Sequence, residues 1–153
     1  MRLTCSAFAS NSRIPVHFTC DGVDVSPPLA WSDPPAGVRS YALVCADPDA
    51  PGGVWYHWAI YDIPSATQAL HEHWPPTQAS PPQAVNDSRR TGYGGPCPPR
   101  GAPPHHYHFR LYALNVERLG LGPHAQCRDV DAAARTHAIA TAELIGTYSR
   151  AYE

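Results

Sequence analysis

Asp47-Pro48-Asp49-Ala50-Pro51, followed by Trp55, His57 and Trp58, gathers two carboxylates, two prolines and an imidazole where strand-like sequence stops and restarts. Asp and Pro are ordinary turn residues, so a plain turn is one reading. A site lip is the other. A second concentration of chemistry lies at His105, His106, Tyr107 and His108, and a third at Gly92-Tyr93-Gly94-Gly95-Pro96, whose backbone N–H groups could cradle an anion. Carboxylate, imidazole and phenol together can bind an anion or move protons.

Several specific chemistries fit poorly. A glycosidase needs two carboxyl groups at a controlled spacing, which Asp47 and Asp49 do not establish. Metal binding by the histidines is disfavoured, because His106 and His108 should point away from His105 in a strand and no carboxylate sits at a ligand-like spacing. A serine hydrolase lacks its G-x-S-x-G elbow, and the glycine loop lacks the Lys-Ser/Thr of a phosphate-binding P-loop. Neither a metal nor a cofactor is expected.

The elements that must position these residues are short strands. Eighteen prolines in 153 residues punctuate the chain and exclude long helices. Candidate strands span 14–19, 40–46, 54–62 and 107–115, with 71–104 as a long, proline-rich surface excursion. In residues 105–113, His105, Tyr107, Phe109, Leu111 and Ala113 share one face. Tyr41, Leu43, Cys45 and Asp47 share another, and His57 alternates with Trp55, Ala59 and Tyr61. Polar residues therefore close three apolar rows, as one pocket at the end of a sandwich would require. The X-Pro bonds between 47 and 51 permit a cis peptide, which costs only about 0.5–1 kcal/mol over trans.

Helix is expected only near the end of the chain. Asp129 is the expected N-cap, alanines follow, and Ala133, His137, Ala140, Leu144 and Tyr148 recur at steps of three and four. The fold class is a mainly β, antiparallel sandwich with a C-terminal α-helix, as a single domain over 1–153.

Composition excludes some partners. A net charge of −2 with 11 Lys and Arg offers no basic stripe for nucleic acid. Neither a signal-peptide run nor an apolar stretch of about 18 residues is present, so a cytoplasmic protein that is not integral to a membrane is expected. Five cysteines without a C-x-x-C pair argue against a zinc knuckle and a complete disulfide framework. A Cys5–Cys20 bridge would need a hairpin of the first two segments, and a reducing compartment opposes it.

Taken in order, Ile14-Pro15, Thr19-Cys20-Asp21-Gly22, Ser26-Pro27-Pro28-Leu29 with Trp31, Asp47-Pro48-Asp49-Ala50-Pro51, His57-Trp58, Gly92-Tyr93-Gly94-Gly95-Pro96-Cys97-Pro98-Pro99 and His105-His106-Tyr107 with Phe109 and Leu111-Tyr112-Ala113-Leu114 resemble the phosphatidylethanolamine-binding protein family. The likeness is to its bacterial and archaeal, Raf-kinase-inhibitor-like branch. Residues 142–148 resemble the family's C-terminal helix. The resemblance implies a sandwich with a small cavity for phosphate or the phosphoryl group of phosphoethanolamine, lined by Asp47, Asp49, His57, Pro98, His105 and Tyr107, with Gly95 and Pro96 at its rim. It also implies a homodimer and, as a partner, a kinase or protease to be regulated. The leading expectation is non-catalytic anion binding. The alternative is a small-molecule isomerase or cyclase using Asp47, His57, His105 and Tyr107 as acid and base. Ser88-Arg89 departs from the aromatic-glycine pattern of the branch.

Overall fold

The computed structural model describes residues 1–151. Eight strands and one α-helix form two sheets with a helical cover: β1 (Arg2–Cys5), β2 (Ser12–Arg13), β3 (Leu29–Ser32), β4 (Ser40–Asp47), β5 (Trp55–Pro64), β6 (Ala69–Leu70), β7 (His105–Leu114), α1 (Cys127–His137) and β8 (Ala138–Tyr148). The small sheet has the order β1-β3-β6 and the large one β2-β8-β7-β4-β5. Every pairing within them is antiparallel except β2 with β8.

β4 explains the layering. Tyr41, Leu43 and Cys45 point into the core between the sheets, with Trp31, Phe109 and Leu111. Ala42 and Val44 point the other way, against Val130 and Ala134 of α1. A strand covered on both faces reads as a continuous apolar run, which residues 41–45 are.

The single helix is confirmed, but its extent differs from expectation. α1 ends at His137, and residues 138–148 form β8 beside β7, in register from His105↔Tyr148 onward. Alanine at every second position fits a strand face as well as a helix face. The long ladder with β7 overrides the helix propensity of these alanines. Gly146 marks the strand's close packing, since a Cβ there would collide with Ile14 and Phe8. Asp129 is not the N-cap. It lies in the first turn and its carboxylate accepts the N–H of Gln126, the N-cap, at 3.0 Å.

Residues 14–19 do not form the expected strand. Pro15, at φ −58°, opens a 3-10 turn over Val16–Phe18, closed by Phe18 N–H donating to the Pro15 carbonyl at 3.0 Å. The bridge also differs. Cys20 is joined to Cys97, with Cα atoms 5.5 Å apart, while Cys5 is free in β1. The cis peptide is at Ser80–Pro81 rather than within 47–51.

Candidate functional site

The site forms where β4, β5 and β7 end together. Asp47, the last residue of β4, is 3% exposed, and its two oxygens are both engaged. Oδ1 accepts the backbone N–H of Asp49 at 2.8 Å, which shapes the turn, and Oδ2 accepts Nδ1–H of His105 at 2.7 Å. His105 opens β7 and is itself 6% exposed. The carboxylate therefore fixes which ring nitrogen carries the proton, leaving Nε2 of His105 for a ligand.

His57 arrives by a different route from the one strand alternation suggests. Cys45 pairs with Trp58 but Ala46 pairs with Tyr56, so one step on β4 spans two on β5 and His57 is the extra residue of a bulge. Ala59 and Tyr61, expected on its face, lie beneath α1 instead. The bulge turns His57 toward Tyr107, ring centroids 5.2 Å apart and nearly perpendicular. Nδ1–H of His57 donates to the Gly94 carbonyl at 2.7 Å, and Gly94 N–H donates back to the His57 carbonyl at 3.0 Å. Burial lowers the pKa of His57, against the opposing pull of the Gly94 carbonyl and Asp47.

Tyr107 lies between the imidazoles, 1% exposed and stacked on His105 at 6.4 Å. Burial, reinforced by the Asp47 charge, pushes its phenol far above the ordinary range, so the hydroxyl stays protonated and can donate. The opposite wall is the 94–99 loop. Gly95 N–H donates to Asp24 Oδ1 at 2.8 Å, and the Pro96 carbonyl accepts Cys20 N–H at 3.1 Å beside the disulfide.

These walls enclose about 310 Å³. Asp47, His57, Gly95, Pro98, His105 and Tyr107 all line the cavity. Asp49 and Pro96 are not among the lining residues. Asp49 faces His106, accepting both its backbone N–H at 2.8 Å and its Nδ1–H at 2.7 Å, and those bonds hold its carboxyl below the usual range. Trp55, Ser88 and Cys97 also line the cavity and were not among the expected site residues. Trp55 was legible as the neighbour of His57 in an i, i+2 row. Ser88 stood out only as a departure, and Cys97 carried no signal without its partner. A groove along residues 121–136 is larger, about 700 Å³, but it has no such set, whereas two imidazoles, a carboxylate and a phenol converge in the smaller cavity. His108 instead meets Glu143 at 3.1 Å, and no group of three metal-ligating side chains occurs among the described residues.

The fold and this set of side chains define a β-sandwich with a small polar-floored cavity where three of its strands end. The chain belongs to the phosphatidylethanolamine-binding protein family, whose model matches residues 4–149. It is 45% identical over 152 residues to a UPF0098 protein of Aquifex aeolicus, covering 98% of this chain and 89% of that one. A UPF0098 protein of Methanothermobacter thermautotrophicus is 46% identical over 153 residues, with 98% and 99% covered. Among solved structures, Escherichia coli YbcL, described as a member of the mammalian PEBP family, superposes with a TM-score of 0.91 at 31% identity, covering 97% of each chain.

Proposed function

We propose that this chain is a non-catalytic binder of small oxyanions, taking phosphate or the phosphoryl group of a phosphoester such as phosphoethanolamine into the cavity. One observation carries the reading. Both cavity imidazoles have Nδ1 committed as a donor, to Gly94 and to Asp47, so Nε2 becomes an N–H donor only on protonation. An anion between His57 and His105 rewards that protonation, and the Tyr107 hydroxyl adds a neutral donor. Asp47 lines the same cavity, but each of its oxygens already accepts a hydrogen bond. Its oxygens already serve Asp49 and His105, and its charge offsets that of the imidazolium.

The Asp47–His105 pair supports a second reading, since a carboxylate that orients an imidazole is also the arrangement of a general base. An isomerase or cyclase acting on a small molecule would use the same four side chains. No helix in the described residues is long and apolar enough to cross a membrane. The Cys20–Cys97 bridge favours a working form in an oxidising compartment over the cytoplasm.

The test is a ¹⁵N–¹H NMR titration with phosphate and O-phosphoethanolamine on the wild type, His57→Ala and His105→Ala. Saturable shifts confined to Asp47, His57, Gly95 and Tyr107, lost in both variants, are expected. Absence of shifts at millimolar ligand rejects anion binding. New ligand resonances accumulating in the same tube would replace it with the catalytic reading.

A further inference from the structure

A second cavity lies on the opposite face of the large sheet, under the edge of α1. Asp47, His57 and Tyr107 line the first cavity, whereas their chain neighbours Ala46, Tyr56 and His108 line the second, because successive side chains of a strand leave opposite faces. Ala46 is paired with Tyr56 of β5 and with His108 of β7, so these three form one rung across the sheet. Val44 and Arg110, also paired, stand two residues further along. Asp131 and Arg135, one helical turn apart on α1, close one side, and Pro48 and Val54 close another from the turn between β4 and β5. The enclosed volume is about 230 Å³.

Its acceptors are occupied and its donors are not. The one carboxylate among the lining residues, Asp131, is buried and already accepts the Tyr112 hydroxyl at 2.5 Å, the Tyr56 hydroxyl at 2.8 Å and Arg135 Nε–H at 3.3 Å. Arg110 donates to Glu143, which lies outside the lining, through Nε at 3.1 Å and Nη2 at 2.7 Å. His108 donates Nδ1–H to the same Glu143 oxygen. Arg135 uses Nε alone: among the described residues its two terminal nitrogens meet no acceptor, and its side chain is 57% exposed. The remaining wall is aliphatic, formed by Val44, Ala46, Pro48 and Val54. Uncommitted cationic donors beside an aliphatic wall suit a ligand with one anionic end and an apolar body.

We propose that this cavity binds small monocarboxylic acids that carry one ring or a short branched chain, with Arg135 as the carboxylate's partner and the apolar body against Val44, Ala46 and Val54. The planar fork of a guanidinium matches a carboxylate, and Arg110 adds positive charge on the neighbouring wall. Size agrees with this class. An apolar cavity of about 150 Å³ already holds benzene, so about 230 Å³ admits a ring together with its carboxylate. A bare phosphate would leave the aliphatic wall unused, and a cation would meet the two guanidiniums. The inference does not rest on the anion-binding reading, since the backbones of β4, β5 and β7 separate the two cavities.

The test is an NMR titration of methyl-labelled protein with benzoate, using benzyl alcohol and benzylamine as neutral and cationic isosteres. Benzoate is expected to saturate at about millimolar concentration, as a fragment of its size should. Its ring protons should show NOEs to the methyl groups of Val44 and Val54. Both isosteres should bind at least about tenfold more weakly, and Arg135→Gln should weaken benzoate by a similar factor, since a charge-assisted bond is lost. Val54→Ser should weaken it through the apolar wall. Both variants should keep the wild-type melting temperature, because both side chains are half exposed and neither lines the first cavity. If one of them fails to fold, the other and the NOEs decide. No saturation at tens of millimolar, equal binding of benzyl alcohol, unchanged benzoate affinity in Arg135→Gln, or NOEs to Trp55 and Tyr107 in place of Val44 and Val54 would each overturn the proposal.

Discussion

Asp47 Oδ2 accepts the Nδ1–H of His105 at 2.7 Å, and this bond joins the end of β4 to the start of β7 inside the cavity wall. Both side chains are buried, at 4% and 8% exposure. A buried carboxylate is costly unless its oxygens are hydrogen-bonded. Here it is satisfied by His105 on one oxygen and by the Asp49 amide on the other, so the same group sets an imidazole tautomer and the shape of the turn.

Asp47→Asn therefore tests both roles together. An amide keeps one acceptor oxygen, enough for either His105 or Asp49 but not for both in the native geometry. Urea unfolding should show a loss of about 1–3 kcal/mol, the usual cost of leaving a buried polar group unpaired. Imidazole ¹⁵N spectra should show His105 released from its single neutral tautomer, and phosphate binding should weaken. Native tautomer and affinity in the variant would remove Asp47 as the positioning group.

The pH dependence follows from His57. Its folded pKa lies below the ordinary value of 6.5 because burial penalises the charged ring. Between the two values the unfolded chain binds more protons, so stability is fully present above about 6.5 and declines as the pH falls toward the folded value. A bound anion opposes that bias by favouring the imidazolium, so binding takes up protons and affinity rises as the pH falls from about 8 to about 6. Sulfate is the decisive probe, since its charge is constant over this range. Calorimetry in two buffers of different ionisation heat should reveal proton uptake. A flat sulfate affinity would reject the protonated-imidazole grip.

Alternation along β4 and β7 was enough to place Asp47, His105 and Tyr107 on a common face, because those strands run without a bulge between these residues and the core. His57 reaches the same cavity only through the register shift opposite Cys45 and Ala46. A bulge depends on the partner strand, which one strand's sequence does not reveal. Asp49 looked equivalent to Asp47, yet a turn residue has no fixed face, and it is held outside by His106. Residues 138–148 misled for another reason. Alanine satisfies both periods, and only the length of the β7 ladder decides between them. Cys97 could not be matched with Cys20 from spacing, since the two sit on loops 77 residues apart that meet through Pro96 and Cys20.

Gly95 is expected to be intolerant of any side chain. A Cβ there would strike the Phe18 carbonyl oxygen and the Asp24 carboxylate that receives the Gly95 amide. Gly95→Ala should cost about 1–3 kcal/mol through overpacking and shift the 94–98 wall enough to weaken phosphate binding. Gly52→Ala, where a Cβ meets nothing within 4 Å, is the control and should leave both unchanged. Equal behaviour of the two variants would mean that the wall accommodates the change.

The Cys20–Cys97 bridge predicts a separation of stability from binding. Closing a loop of 77 residues should stabilise the fold by about 4.5 kcal/mol in chain-entropy arithmetic. Unfolded, oxidised protein should alkylate at three cysteines, Cys5, Cys45 and Cys127, and at all five after reduction. Cys20→Ser or a reductant should lower the urea midpoint accordingly. Phosphate shifts should nevertheless persist under native conditions, because the loop is also held by Gly94 to His57, Gly95 to Asp24, Cys20 to Pro96 and the Tyr93 hydroxyl to the Phe18 carbonyl. Loss of binding on reduction, with the fold intact by NMR, would show instead that the disulfide and not this bond set holds the cavity wall in place.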